Sequence, residues 1–288
     1  MYPVIANIDA LGGPLRTYPV LLLLAALAGM GLALPRLRRL PGVDGGVVLR
    51  VMLWCVFGAW LGGRLHDLSN LGAFALGRIV GQGRVGELFG VSFHAGGAIL
   101  GLVIAALLAT RHYGVKLGQY GDAVVPGFGL GLAIGRFACF LNGCCTGTPC
   151  SYFWCVAFPK PTYVWNYHVY LGLVPGDAEW SAPVHPLQLY FTAAGLAIMA
   201  LGWWLDARKR YDGEVALMAL LVFSASNAFL EQFRGFAPMR RYWLNVPQLT
   251  WIALVTMVAT LVAIAWCERT RWRARRHEAH DALGEVTP

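Results

Sequence analysis

Long apolar runs alternate with short polar breaks along nearly the whole chain. They fall at residues 18 to 34, 47 to 63, 92 to 110, 121 to 142, 185 to 205, 214 to 231 and 247 to 267. About 20 apolar residues cross a bilayer core as a helix, and a helix satisfies its own backbone groups where no water can. The pattern therefore predicts an all-α polytopic membrane protein with about seven transmembrane helices, forming one transmembrane domain over 1–288. Between the second and third runs, residues 64–91 (GRLHDLSNLGAFALGRIVGQGRVGELFG) are too polar to cross and suit an arm lying at the outer surface. Between the fourth and fifth, residues 143–184 carry the Pro, Gly and aromatic turn signals of a small external cap. Residues 1–17 hold Asp9 and Arg16 and lack an apolar h-region, so the first run reads as a retained helix rather than a cleaved signal.

Composition agrees with this reading. The chain is 57% hydrophobic and 13% charged, with a mean hydropathy of +0.56, which leaves no room for a large soluble domain. A net charge of +8 would suit nucleic acid, but the basic residues stand at alternate loops, so a nucleic-acid partner is not expected. Arg36, Arg38, Arg39 and Arg50 follow the first run, Arg111 and Lys116 the third, and Arg208, Lys209 and Arg210 the fifth. Arg269, Arg271, Arg273, Arg275 and Arg276 fill a basic tail, 268–288, after the last. The positive-inside rule puts these loops and the C-terminus in the cytoplasm and the N-terminus outside.

Glycines number 35. The stretch GFGLGLAIG at 127–135 has small residues at alternate positions, which lets helices approach closely. No inverted repeat of the kind that marks secondary transporters is visible.

An ionisable side chain inside a membrane span costs at least ~2.5–3.5 kcal/mol and points to function by default. Arg136, about two turns before the outer end of the fourth run, is the strongest such residue, with an interfacial anchor as the plainer reading. His94 opens the third run, where an imidazole is suited to act as a base or simply to fill a hydrogen bond. His185, Gln188 and Tyr190 gather at the start of the fifth run in HPLQLY, facing either a cavity or the headgroup belt. Glu231 and Arg234, three residues apart in FLEQFRG, share a helix face. Two guanidiniums at the same membrane level, Arg136 and Arg234, would form a phosphate receptor.

Five of the seven cysteines, Cys139, Cys144, Cys145, Cys150 and Cys155, lie within 17 residues. Their spacing contains no CxxC pair, so zinc is weakly signalled, and there is no CxxCH for haem. Outside the cytoplasmic membrane a disulfide in the cap is favoured.

Taken together these segments resemble the prolipoprotein diacylglyceryl transferases of the bacterial inner membrane. The family signature, approximately GRxGNFxNGExxG, is similar to GRFACFLNGCCTG at 135–147, which keeps Gly135, Arg136, Phe140, Asn142, Gly143 and Gly147. Cys139 stands at its asparagine and Cys144 at its glutamate. LGGR (61–64), SFHAGG (92–97), HPLQLYF (185–191) and EQFRG (231–235) resemble further blocks in order, with Phe191 at a family glutamate.

The resemblance implies transfer of the sn-1,2-diacylglyceryl group from phosphatidylglycerol to the lipobox cysteine of a prolipoprotein, giving a thioether and glycerol phosphate. It implies a multi-pass protein of the inner membrane, with no metal or other cofactor required. Arg136 and Arg234 would steady the leaving phosphate and His94 would act as base. Asn142 would orient the headgroup, and Tyr18, Gly147, His185, Gln188, Tyr190 and Gln248 would line the lipid site. Cys144 and Cys145 are expected to form a disulfide or a packing contact. The departures keep two alternatives open, a divergent paralogue with another acceptor and a non-enzymatic lipid or anion transporter.

Overall fold

The computed structural model of the chain describes residues 4–8, 13–81, 95–235 and 242–284. It opens with a short antiparallel hairpin, β1 (Val4–Ile8) and β2 (Gly13–Arg16). Five long helices and one shorter one follow: α1 (Thr17–Leu37), α2 (Gly45–Gly81), α3 (Ala95–His112), α4 (Leu117–Asn142), α6 (Leu187–Asp206) and α7 (Glu214–Leu230). A small helix, α5 (Tyr163–Tyr170), lies between α4 and α6, and α7 ends in a 3-10 turn, Glu231–Phe233. A two-residue ladder, β3 (Tyr242–Trp243) with β4 (Val246–Pro247), precedes α8 (Gln248–Gly284).

Among the described residues six helices are long and apolar enough to cross a membrane, with Leu100–His112 as a shorter apolar helix. These are the expected runs, and the start of the expected third one, from 92, lies outside the described residues. Two elements run past the expected boundaries. α2 continues through the polar stretch to Gly81, and α8 continues through the basic tail to Gly284. Polarity marks where a helix leaves hydrocarbon; it does not end a helix whose residues still favour one.

The helices turn apolar side chains outward, as lipid requires. Leu23 and Leu24 on α1 and Val255, Val258 and Val262 on α8 are all exposed. Several helix pairs pack instead through small residues.

The chain divides into two compact units, Leu34–Ala123 and the remainder, with the division falling inside α1 and α4. In the Leu34–Ala123 unit α2 packs on α3, where a Cβ on Gly101 would stand 2.0 Å from the Gly58 carbonyl oxygen. In the other unit, Gly127 of α4 meets Gly29 of α1, a Cβ on it falling 2.2 Å from the Gly29 carbonyl oxygen. Gly129 meets α6, where its Cβ would lie 2.5 Å from the Met199 nitrogen. The GFGLGLAIG stretch therefore carries two helix contacts. Between α6 and α7, Ile198, Leu205, Val215 and Ala219 close an apolar core with Val125.

Residues 143–184 build a cap around Phe158, Val164 and Val184, against which Phe140 packs from the end of α4. Thr162 caps α5 by accepting from the Trp165 amide (3.4 Å). Trp165 donates its indole N–H to the Ala178 carbonyl at 2.7 Å. The one disulfide among the described residues, Cys150–Cys155, closes a loop of this cap.

Candidate functional site

The site assembles where α4 stops. Asn142 is its last residue, and Gly143 follows in the left-handed conformation (φ 66°) that glycine adopts without strain. The Gly143 amide bonds back to the Phe140 carbonyl (3.2 Å) and the Cys144 amide to the Cys139 carbonyl (3.2 Å). These two bonds make a Schellman ending, a motif that also lays the residue after the glycine against the one five positions earlier. Cys144 thus comes to rest on Cys139. Cys145 has a positive φ too, 57°, and turns the chain so that its thiol joins them. The three sulfurs lie within 4.8 Å of one another, and all three cysteines are free thiols. The expected disulfide at Cys144 or Cys145 is therefore not formed; the only bridge among the described residues is Cys150–Cys155.

Arg136 precedes Cys139 by three residues and so shares its face of α4. Its guanidinium carbon stands 4.5 Å from the centre of the Phe191 ring on α6. Among the described residues no carboxylate pairs with it. Phe191 is buried, and a glutamate here would have offered Arg136 an ion pair where the phenyl offers only its π face. Arg234 is held differently. Its Nε donates to the Glu231 carboxylate at 2.7 Å, and Glu231 is itself buried.

Both guanidinium charges act on Cys145. Hydrogen bonds from Cys139 and Cys144, and then the charges of Arg136 and Arg234, hold its thiol well below the ordinary range. Cys144 moves the opposite way, pushed up by hydrogen bonding with Cys139 and Cys145 and by burial. The Cys144 thiol itself faces back to the Cys139 carbonyl, 3.7 Å from its oxygen. Tyr18, one residue into α1, lies within electrostatic reach of all three thiols.

The main chain fixes this constellation from three directions. The Gly147 amide donates to the His185 carbonyl (3.0 Å), and the Thr148 amide to the Phe233 carbonyl (2.7 Å). The Gly235 amide returns to the Thr146 carbonyl (3.1 Å). Residues 146–148 thereby bind the start of α6 and the end of α7 edge to edge, with Gly147 bridged to Arg234. Gly147 leaves no space for a side chain; a Cβ there would lie 2.6 Å from the His185 Cβ. Gln188, fully buried, donates to the Cys144 carbonyl at 2.6 Å. The His185 Nδ1 and Tyr190 hydroxyl are 3.2 Å apart, and the Phe233 ring stands edge-on to the imidazole.

Of the residues singled out in the sequence, Tyr18, Arg136, Gly147, Gln188 and Arg234 meet around Cys144 and Cys145, while His185 and Tyr190 form a pair beside them. Asn142 is half-buried at the end of α4. Gln248 opens α8 with its side chain exposed, and no contact joins it to the arginines among the described residues. His94 lies outside the described residues. The thiol trio was missed because its members were read as candidates for bridges; the signal was the Asn-Gly at the end of an apolar run, which places Cys144 on Cys139.

A multi-pass helical membrane protein with a guanidinium, a cluster of thiols and a glycine-bonded loop at one end of its helices is the class these features define. The chain belongs to the prolipoprotein diacylglyceryl transferase family, whose description matches residues 3–266. It is 31% identical over 239 residues to the phosphatidylglycerol–prolipoprotein diacylglyceryl transferase of Nitrosospira multiformis, covering 74% of each chain. To the enzyme of that name from Nitrosomonas europaea it is 32% identical over 275 residues, covering 89% of this chain and 88% of the other. The Oleidesulfovibrio alaskensis enzyme of that name is 32% identical over 240 residues, with 81% of each covered.

Proposed function

We propose that the protein transfers the diacylglyceryl group of phosphatidylglycerol to the lipobox cysteine thiol of a prolipoprotein. The observation that carries this reading is Arg136, a half-buried cation in a membrane span with an aromatic face beneath it and no carboxylate partner among the described residues. A lipid phosphate is the anion that such a depth supplies. The acceptor sulfur attacks the glyceryl carbon, the carbon–oxygen bond to phosphate breaks, and glycerol phosphate leaves with the electron pair. Charge builds on the departing phosphate, and a fixed guanidinium in a poorly hydrated site acts strongly on it. Arg234, oriented by Glu231, is the second such group. His94 takes the thiol proton, since only the thiolate attacks well. Asn142 and Gln248 take the headgroup and lipid roles that the family pattern implies.

The basic loops support an orientation with the N-terminus outside and the C-terminus in the cytoplasm of the bacterial inner membrane. The arm at 64–91 and the cap at 143–184 then face outward, where the acceptor signal peptides emerge. A second reading, the same donor with a different thiol acceptor, is favoured by Cys139, Cys144 and Phe191 at altered signature positions.

The test is transfer of labelled diacylglyceryl from phosphatidylglycerol to a lipobox peptide by the purified protein. Product that disappears with Arg136→Ala supports the reading. Absence of product from folded protein that still binds phosphatidylglycerol moves it to the other acceptor.

A further inference from the structure

We propose that Cys139, Cys144 and Cys145 form a three-thiolate site for a thiophilic d10 cation, Cu+ or Zn2+, a function separate from lipid transfer and independent of that reading. Three sulfurs from two successive turns of backbone all lie within 4.8 Å of one another. With metal–sulfur bonds of about 2.3 Å, sulfurs around one ion sit about 3.8 Å apart in a tetrahedron and about 4.0 Å apart in a trigonal plane. The trio's 4.8 Å upper bound lies within about 1 Å of either spacing. A disulfide needs about 2.05 Å between two sulfurs and leaves the third over.

The backbone prepares this arrangement before any ion arrives. The Schellman bonds from Gly143 and Cys144 place the second thiol on the first. A positive φ at Cys145, where no glycine relieves it, places the third. Residues held in the left-handed region persist when their surroundings fix them, and they cluster at ligand sites. Gln188 holds the Cys144 carbonyl from behind, so the ligand loop is supported by a second layer of contacts.

Charge also fits. Three thiolates leave a net −1 around Zn2+ and −2 around Cu+, which Arg136, three residues before Cys139 on α4, and Arg234, bridged to Gly147, offset. Thiolate ligands select soft cations over Mg2+ or Ca2+. As each sulfur bonds the ion its proton passes to solvent, and no electrons change hands.

The experiment uses the full chain, reduced, in detergent, loaded in separate samples with Zn2+ alone and with Cu+ under ascorbate, then desalted against a weak chelator. One ion per chain is expected by elemental analysis. In the loaded protein, Cys139, Cys144 and Cys145 should alkylate at least about 10-fold more slowly while Cys55 and Cys267, the other free thiols, are unchanged; the protected set is read by mass spectrometry on the unsubstituted chain, so it does not depend on any variant folding. Cys139→Ser and Cys145→Ser should each weaken retention by more than the roughly 10- to 100-fold that loss of a supporting neighbour costs. Retention of Cu+ alone assigns the trigonal form, and retention of Zn2+ a form with a fourth ligand. A reduced chain that holds neither ion, or one whose retention is indifferent to both substitutions, overturns the proposal. Transfer activity, measured separately, bears on neither outcome.

Discussion

The guanidinium carbon of Arg136 stands 4.5 Å from the centre of the Phe191 ring, across the α4–α6 contact. A cation over an aromatic face gains about 0.5–2 kcal/mol, more when desolvated, and unlike an ion pair it leaves the charge uncancelled. Phe191 thus positions Arg136 for an anion without competing for it. Phe191→Leu keeps an apolar group in place and removes the π face. The KM for phosphatidylglycerol should rise about 2- to 30-fold, the equivalent of that energy. An unchanged KM in a folded variant would show that the ring only fills space.

Gly147 is pressed between His185 and the Phe233 carbonyl. Gly147→Ala has to part residues 146–148 from the end of α7 or the start of α6, so transfer should be lost and the melting temperature should drop. Gly176→Ala, whose Cβ would meet only Val169 at 3.9 Å, should match the parent protein in both. Paired thermal melts in detergent give the comparison.

Gln188 donates to the Cys144 carbonyl from a fully buried position. Gln188→Leu leaves that carbonyl without its donor, at a cost of about 1–3 kcal/mol. The loop should loosen, and Cys144 should alkylate faster than in the parent. Equal alkylation rates would mean that the Schellman bonds alone hold the loop.

His168 on α5 is buried, and burial pushes its pKa down. The folded cap therefore favours neutral imidazole, whereas the unfolded chain takes up a proton near the ordinary pH of about 6.5. Below that pH the unfolded state binds more protons, so cap stability should fall as pH drops through 6.5 towards the folded pKa and level off beneath it. Limited proteolysis of residues 143–184 at pH 7.5 and 5.5 should show faster cutting at the lower pH, with His168→Gln flattening the difference. Equal cutting in the parent at both values would refute the assignment.

Much of this architecture was readable beforehand because lipid imposes one rule on every span. The apolar runs marked the helices to within a few residues, and the small-residue stretch in α4 marked the contacts with α1 and α6. Where the reading stopped short, other forces decide. α2 and α8 run on past the apolar runs that end near residues 63 and 267, because Ala, Leu, Arg and Glu sustain a helix in water as well. The hairpin of β1 and β2 is too short to leave an alternating pattern. In the site, the pairing of Glu231 with Arg234 followed from their spacing, whereas the meeting of Cys139 with Cys144 depends on how a helix ends.

The loop at 146–148 joins its neighbours through amides and carbonyls alone. Except at Gly147, where a Cβ would clash, such bonds do not read side-chain identity. A frame of this kind can hold its shape while the side chains it displays, Cys144 and Phe191 among them, are exchanged. The scaffold and the chemistry of this protein are therefore separable.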